Sequence, residues 1–220
     1  MSIVSVIVPT YNGAATLAEA IASIRAQSID VEIIVVDDGS TDDTPHVIAT
    51  LDVIAMQQSN AGPAAARNTG LQRATAPFIA FIDDDDVWMP RRLTTQLAIL
   101  DAHRDAHATL GYSAFVACDA NGNAIGEPTE PHLFANMGAS LIRREAFDRI
   151  GAFDPTLSGS EDVDWYLRLR DAQLGLVITQ DLVQLVRRTG ENMTRGKDLR
   201  DLDMHTVLKR SLDRRRRSLA

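Results

Sequence analysis

Four short, β-branched apolar runs recur in the first 85 residues, each separated from the next by a stretch of helical period. They are "IVSVIVP" (3–9), "VEIIVVD" (31–37), "DVIAMQQ" (52–58) and "APFIAFI" (76–82). Their length and residue types read as buried strands. Between the first two lies "AATLAEAIASIRAQS", whose Leu17, Ile21 and Ile24 share one helix face. "TDDTPHVIATL" starts with capping residues, Thr41 or Asp42, and a third helix runs through "AAARNTGLQRA". Strand and helix in strict alternation require parallel pairing through right-handed crossovers. The expected fold class is therefore α/β: a Rossmann-like, mainly parallel central sheet flanked by helices.

In such sheets ligands bind beyond the carboxyl ends of the strands. Asn12, Asp37, Asp38 and the run Asp83, Asp84, Asp85, Asp86 all fall at or just after a strand end, on one common edge. Carboxylates crowded there raise each other's pKa unless a cation neutralises them. Oxygen ligands on a tight turn suit Mg²⁺ or Mn²⁺, which also bridges to substrate phosphates. The competing reading is a solvated acidic turn ahead of a helix starting near Pro90. "NAGPAAARN" sets Arg67 one turn into its helix, to clamp a phosphate, to pair with the aspartates, or to stand exposed. "SGSEDVDW" places Glu161 and Asp162 at a further helix start, where a carboxylate serves as general base or merely offsets the helix dipole. After the first strand "PTYNGAATL" carries one glycine rather than three, which argues against a dinucleotide fingerprint and a nicotinamide enzyme.

Composition removes other classes. Lys and Arg total 22 against 30 Asp and Glu, a net charge of −8, so general nucleic-acid binding is not expected. Cys118 is the single cysteine, which excludes an internal disulfide or a cysteine-built zinc site and suits a reducing cytosol. "MSIVSVIVPTYNG" lacks a secretory pattern, and no run approaches the roughly 20 apolar residues of a membrane helix. A soluble, cytoplasmic protein is expected.

The second half reads differently. "TLGYSAFVACDANGNAIGEP" suggests a hairpin turning at Asn121-Gly122. "GASLIRREAFDRIGAFDP" gives a short strand, a helix and a turn. "GSEDVDWYLRLRDA" gives a helix capped by Ser160, with Val163, Tyr166 and Leu167 on its buried face, and "LVITQDLVQLVRR" one or two strands. Residues 209–220 hold six basic residues against Asp213, a local surplus of five positive charges. That tail is either solvated or leans on anionic lipid.

Taken together and in order, "VSVIVPTYNG", "VVDDGSTDDT", "NAGPAAARN", "FIDDDDVW", "GASLIRREAFDRIGAFDP" and "SEDVDWYLRL" closely resemble the inverting glycosyltransferase family 2, over roughly residues 3 to 195. The resemblance implies a GT-A fold: one catalytic domain at 1–200, with a nucleotide-sugar-binding half (1–105), a smaller acceptor half (106–200) and a basic helix or tail at 201–220. By match to the family motifs, Pro9, Tyr11 and Asn12 contact the nucleotide, Asp38 reads a uracil edge, and Arg67 lies beside the diphosphate. Asp83 and Asp85 form the D-x-D pair, Asp85 touches the metal, Asp86 is a sugar or second metal contact, and Asp84 fills the variable position. Asp162, paired with Glu161, is the catalytic base. The implied cofactor is Mn²⁺ or Mg²⁺, and the implied partners are a UDP-sugar and a glycan, lipid-linked or small-molecule acceptor. Relatives often carry a histidine in "R.HG.N.S", where this chain reads "VRRTGENMTRG" with Thr189; this departure puts a third protein ligand in question, with either weaker metal binding or more waters on the ion, and Arg187, Arg188 and Arg195 either hold phosphate or form salt bridges. A homodimer completing the acceptor site and a peripheral membrane contact are further expectations. Two other readings stand beside this one. A sugar-1-phosphate nucleotidyltransferase would need a glycine-rich basic loop that "PTYNG" does not supply, and an inactive nucleotide-sugar-binding module would lack turnover.

Overall fold

The computed structural model describes residues 2–119, 122–157, 159–188 and 202–218. The four apolar runs form β1 (Val4–Thr10), β2 (Val31–Asp37), β3 (Ile54–Gln57) and β4 (Phe78–Phe81). β1 is buried along its whole length, as a strand covered on both faces must be. It pairs in parallel with β2 on one side and β4 on the other, and β2 pairs in parallel with β3. The order β3-β2-β1-β4 therefore reverses at β1. A crevice opens at such a reversal, beyond the ends of β1 and β4.

Helices α1 (Leu17–Arg25), α2 (Thr44–Thr50) and α3 (Pro63–Arg73) make the crossovers. α1 buries Leu17, Ala20, Ile21 and Ile24 against Val4, Val6 and Val8. Each large side chain so buried contributes about 1.5–3 kcal/mol. α3 lies on the opposite face, with Ala64 and Ala66 packed near Ile7 and Val36. Gly70 permits that approach, because a Cβ there would sit 2.4 Å from Ile7 Cγ2. α2 begins later than its first capping residues suggest. Asp42 turns its carboxylate onto the amide of Thr44 (3.0 Å) and receives the amide of Ala14 (3.3 Å), so it builds a turn rather than a cap.

The remaining elements are β5 (Val87–Trp88), α4 (Arg92–Ala102), β6 (Ala106–Ala117), a 3₁₀ turn at Met137–Ala139, β7 (Ser140–Arg143), α5 (Arg144–Ile150), α6 (Glu161–Asp171), β8 (Gly175–Arg188) and α7 (Met204–Ser218). β7 inserts antiparallel between β4 and β6, β8 runs parallel to β6, and β5 pairs antiparallel with β8. The result is a continuous eight-stranded sheet.

Two local expectations need correction. The return arm of the predicted hairpin is not a strand: Ile125, Thr129 and His132 each donate one amide to β6, at 2.6, 2.8 and 2.8 Å. Pro128 and Pro131 interrupt it because they have no N–H to give. α6 buries Glu161, Asp164, Trp165 and Leu169 rather than the face of Val163, Tyr166 and Leu167, which are half-buried. Ser160 precedes α6 but makes no side-chain cap bond. Asn121, Thr189 and Arg195 lie outside the described residues.

α7 docks on α6 through its basic residues. Arg210 meets Asp154 at 2.6 Å, and Arg214 meets Asp171 at 3.0 Å and Asp164 at 3.6 Å. Two of the tail's arginines are thus matched by acids of α6 and the turn before it, while Leu208 and Leu212 face outward. Among the described residues no helix is long and apolar enough to cross a membrane.

Candidate active site

The crevice is a cavity of about 1110 Å³, lined by Tyr11, Asp38, Arg67, the four consecutive aspartates and the start of α6. At the ends of β1 and β2 two loops lock together. Asn12 takes a left-handed backbone (φ 57°), accepts the Thr41 amide at 2.8 Å and donates its own amide to Ser40 Oγ at 2.9 Å. Tyr11 is left half exposed beside Pro9 at the cavity edge. Asp37 holds the turn through the Ser40 amide (2.8 Å). Asp38 is buried and accepts from Gln58 Nε2 (2.8 Å) and the amides of Ala61 (2.9 Å) and Gly62 (2.8 Å). It thereby fixes the loop that starts α3.

The four aspartates have four different surroundings. Asp83 is half exposed and receives Arg67 Nη2 at 2.7 Å. Asp84 accepts the Thr10 hydroxyl, and burial together with its acidic neighbours pushes it up to about 7. Asp86 is buried, accepting Gln184 Nε2 and the Arg187 amide (3.1 Å), and burial holds it well above the carboxylate range. Asp85 is the one whose carboxylate meets no side-chain donor among the described residues. Burial first, then Asp83, push it up to about 6. The structure thus turns Asp86 inward onto β8 and gives Asp84 an anchoring task.

Across the cavity stands α6. Arg67, 5% exposed, reaches Glu161 at 2.8 Å and Asp162 at 3.5 Å with Nη1 while Nη2 holds Asp83. Burial would weaken its charge, but Asp83, Asp162 and Glu161 raise its pKa further. Asp162 also accepts the Met137 amide at 2.9 Å. Burial pushes its carboxyl up to about 6, Arg67 opposing and Glu161 adding. Arg67 is neither exposed nor free to leave: it ties the acid turn after β4 to the first turn of α6. Arg187 is likewise committed, to Glu19 and to the Asp85 carbonyl (3.2 Å).

Seven carboxylates line the cavity against three guanidinium groups. A cation bound among them would offset that surplus for an anionic ligand. Among the described residues no three His, Cys, Asp or Glu side chains are grouped as a ready-made metal cage. Asp85 with the free oxygen of Asp83 instead suits an ion that keeps waters and takes its other ligands from phosphate, as Mg²⁺ and Mn²⁺ do. Sequence reasoning missed Thr10, Met137, Gln184 and Tyr166, whose hydroxyl bonds Ser140 Oγ at 2.6 Å and the Asn136 carbonyl at 3.0 Å. No motif spacing points to them.

A parallel sheet that reverses at β1, is continued by β7, β6 and β8 and carries an acidic cleft is a GT-A-type fold. Residues 5–154 match the family described as glycosyl transferase family 2, and the chain belongs to that family. Among solved structures, S. aureus TarS 1–349 in complex with UDP-GlcNAc is similar, with a TM-score of 0.76 and 24% identity over 97% of this chain and 66% of that one. The mannosyltransferase PcManGT from Pyrobaculum calidifontis, in complex with GDP-Man and Mn²⁺, gives 0.64 and 22% over 89% and 58%. An uncharacterized glycosyltransferase of Haemophilus influenzae is 34% identical over 132 residues, 57% of this chain and 52% of its own length. The chain thus spans about half the length of that relative.

Proposed function

We propose that this chain transfers a sugar from a uridine-diphosphate donor to an acceptor hydroxyl with inversion, in a metal-dependent single displacement. The observation that carries this reading is that Asp162 and the acid turn holding Asp83 and Asp85 line one cavity, with Arg67 bridging Asp83 to Asp162. Tyr11, Pro9, Asn12 and Asp38 would hold the nucleotide, and Asp83 and Asp85 a divalent ion. Such an ion supplies positive charge against a departing diphosphate. Asp162 takes the proton of the acceptor hydroxyl as that oxygen attacks the anomeric carbon. The bond from that carbon to the diphosphate oxygen breaks, and its electron pair leaves with the diphosphate. Arg67 keeps Asp162 ionised and in place throughout. Asp86, buried on β8, sets the turn rather than meeting the sugar.

The test is calorimetric titration of UDP, GDP and dTDP with and without Mn²⁺. Metal-dependent binding of UDP is expected, and absence of binding to a folded chain removes the donor reading. The exposed Leu208 and Leu212, beside Lys209, support a peripheral contact with anionic membrane; flotation with anionic vesicles that leaves the chain behind would dismiss it. A monomeric mass in an active preparation would dispose of a dimer-completed acceptor site.

A further inference from the structure

Two aromatic rings face the same cavity from the side opposite the nucleotide loops. Phe115 of β6 and Phe134, in the loop before the 3₁₀ turn, stack with centroids 5.3 Å apart and planes 19° apart. Both are half-buried and belong to none of the buried apolar clusters. Their positions are fixed. Phe115 exchanges backbone bonds with Thr129, donating to its hydroxyl (3.1 Å) and accepting from its amide (2.8 Å). Phe134 lies three residues before Met137, whose amide holds Asp162. The loop that presents the ring is therefore the loop that positions the base.

Arg188, at the end of β8, lays its guanidinium 3.7 Å from the Phe115 centroid and is exposed. Among the described residues no acid pairs with it, whereas Arg67 and Arg187 are committed to carboxylates. In a cavity of acidic surplus, it is the arginine among the lining residues whose charge is left for an incoming anion.

β6 stands three strands from β1 in the sheet. At about 4.8 Å per strand that is about 14 Å, so the rings lie on the far side of the acid turn from the nucleotide loops. A pyranose has one face of C–H bonds, which packs on an aromatic ring as other apolar groups do. A guanidinium pinned over a ring has lost its rotamer freedom beforehand and meets phosphate or carboxylate through two N–H groups.

We propose that Phe115, Phe134 and Arg188 form the acceptor subsite, and that the acceptor is an anionic sugar. Its ring packs on the phenylalanine pair where Arg188 leaves it uncovered, its phosphate or carboxylate faces Arg188, and its reacting hydroxyl is turned to Asp162. The inference rests on the transferase reading above.

The test is saturation-transfer NMR on the full chain with UDP and Mn²⁺ present, using methyl β-D-glucopyranoside, D-glucuronate and D-glucose 6-phosphate as probes. Transfer to ring C–H protons is expected, with at least one charged sugar about tenfold tighter than the neutral glycoside, the scale of one charge-assisted contact. The two charged probes separate carboxylate from phosphate recognition. Phe115→Ala and Phe134→Ala should weaken all binding, Phe134→Tyr should retain it, and Arg188→Gln should erase the advantage of the charged sugars. UDP affinity should stay within about twofold in the ring variants. Equal transfer in wild type and ring variants, no charge preference in wild type, or loss of UDP affinity in Phe115→Ala would each overturn the assignment. Failure of UDP to bind wild type would instead remove the donor reading, and the sugar signal would still decide the platform.

Discussion

Replacing Arg67 with methionine keeps the length of the stem and deletes the charge. Three carboxylates lose their shared partner: Asp83 at 2.7 Å, Glu161 at 2.8 Å and Asp162 at 3.5 Å. Asp83 is half exposed and water replaces the arginine. Glu161 is the difficult one, because its side chain is 6% exposed and its second oxygen already lacks a partner. Removing one member of a buried ion pair costs about 3–5 kcal/mol. For a chain of this size each kcal/mol moves Tm by about 2–4 °C, so Arg67→Met should melt roughly 6–20 °C lower at pH 8. The deficit should also depend on pH. Arg67 opposes the burial that pushes Asp162 up to about 6, so its removal raises that carboxyl further above its unfolded value and the folded variant binds the extra proton as pH falls. Stability lost at pH 8 is therefore partly recovered towards pH 5. Urea unfolding of wild type and variant at both pH values measures this, and Arg67→Met/Glu161→Gln should regain part of the loss by removing the orphaned charge. A Tm shift under about 1 °C, or a deficit identical at both pH values, would refute the claim that Arg67 is a buried hub.

Asp85→Asn should abolish Mn²⁺-dependent UDP binding while leaving Tm unchanged or higher, since it relieves repulsion from Asp83; calorimetry and melting together check it. Asp84→Ala should cost about 1–3 kcal/mol of stability, because it leaves the buried Thr10 end of β1 without its acceptor; an unchanged urea midpoint would show that Asp84 only fills its place. With Asp162 pushed up to about 6, the turnover rate should fall as pH drops through that value and level off above it, since a base acts deprotonated. Asp162→Asn should lose at least about 10²-fold in rate and with it that acid limb. Burial alone would raise Asp171, but hydrogen bonds from Arg170, Ser211 and Arg214 hold it below the usual carboxylate range. Its contribution is thus present above the unfolded carboxylate pKa and lost as pH falls through the lower folded value; Asp171→Asn should lower stability by about 1 kcal/mol at pH 7, a gap that closes at strongly acid pH in urea titrations.

What could be read from the sequence was set by backbone period, and what could not was set by partners distant in the chain. The alternation of short apolar runs with helical stretches places Thr10, Asp37 and the acids after Phe81 on one edge because parallel strands end together. Arg67 could have been recognised as buried, since Ala64 and Leu71 lie on its face of α3 at three- and four-residue spacing. Asp86 shares a strand face with Trp88, two residues on, and both are buried, but a two-residue strand is too short to show its period. Its donors, Gln184 and the Arg187 amide, stand 98 and 101 residues away, on a strand whose pairing with β6 no local signal reveals. The same holds for Asp162, whose donor is an amide 25 residues earlier and whose cation is 95 residues earlier. Four adjacent aspartates look interchangeable in sequence. Once Arg67 takes Asp83, Thr10 takes Asp84, and Gln184 with Arg187 takes Asp86, Asp85 is the carboxylate left without a side-chain donor among the described residues. A cation entering the cavity would find it bare, so the choice among four identical acids is made by the rest of the fold.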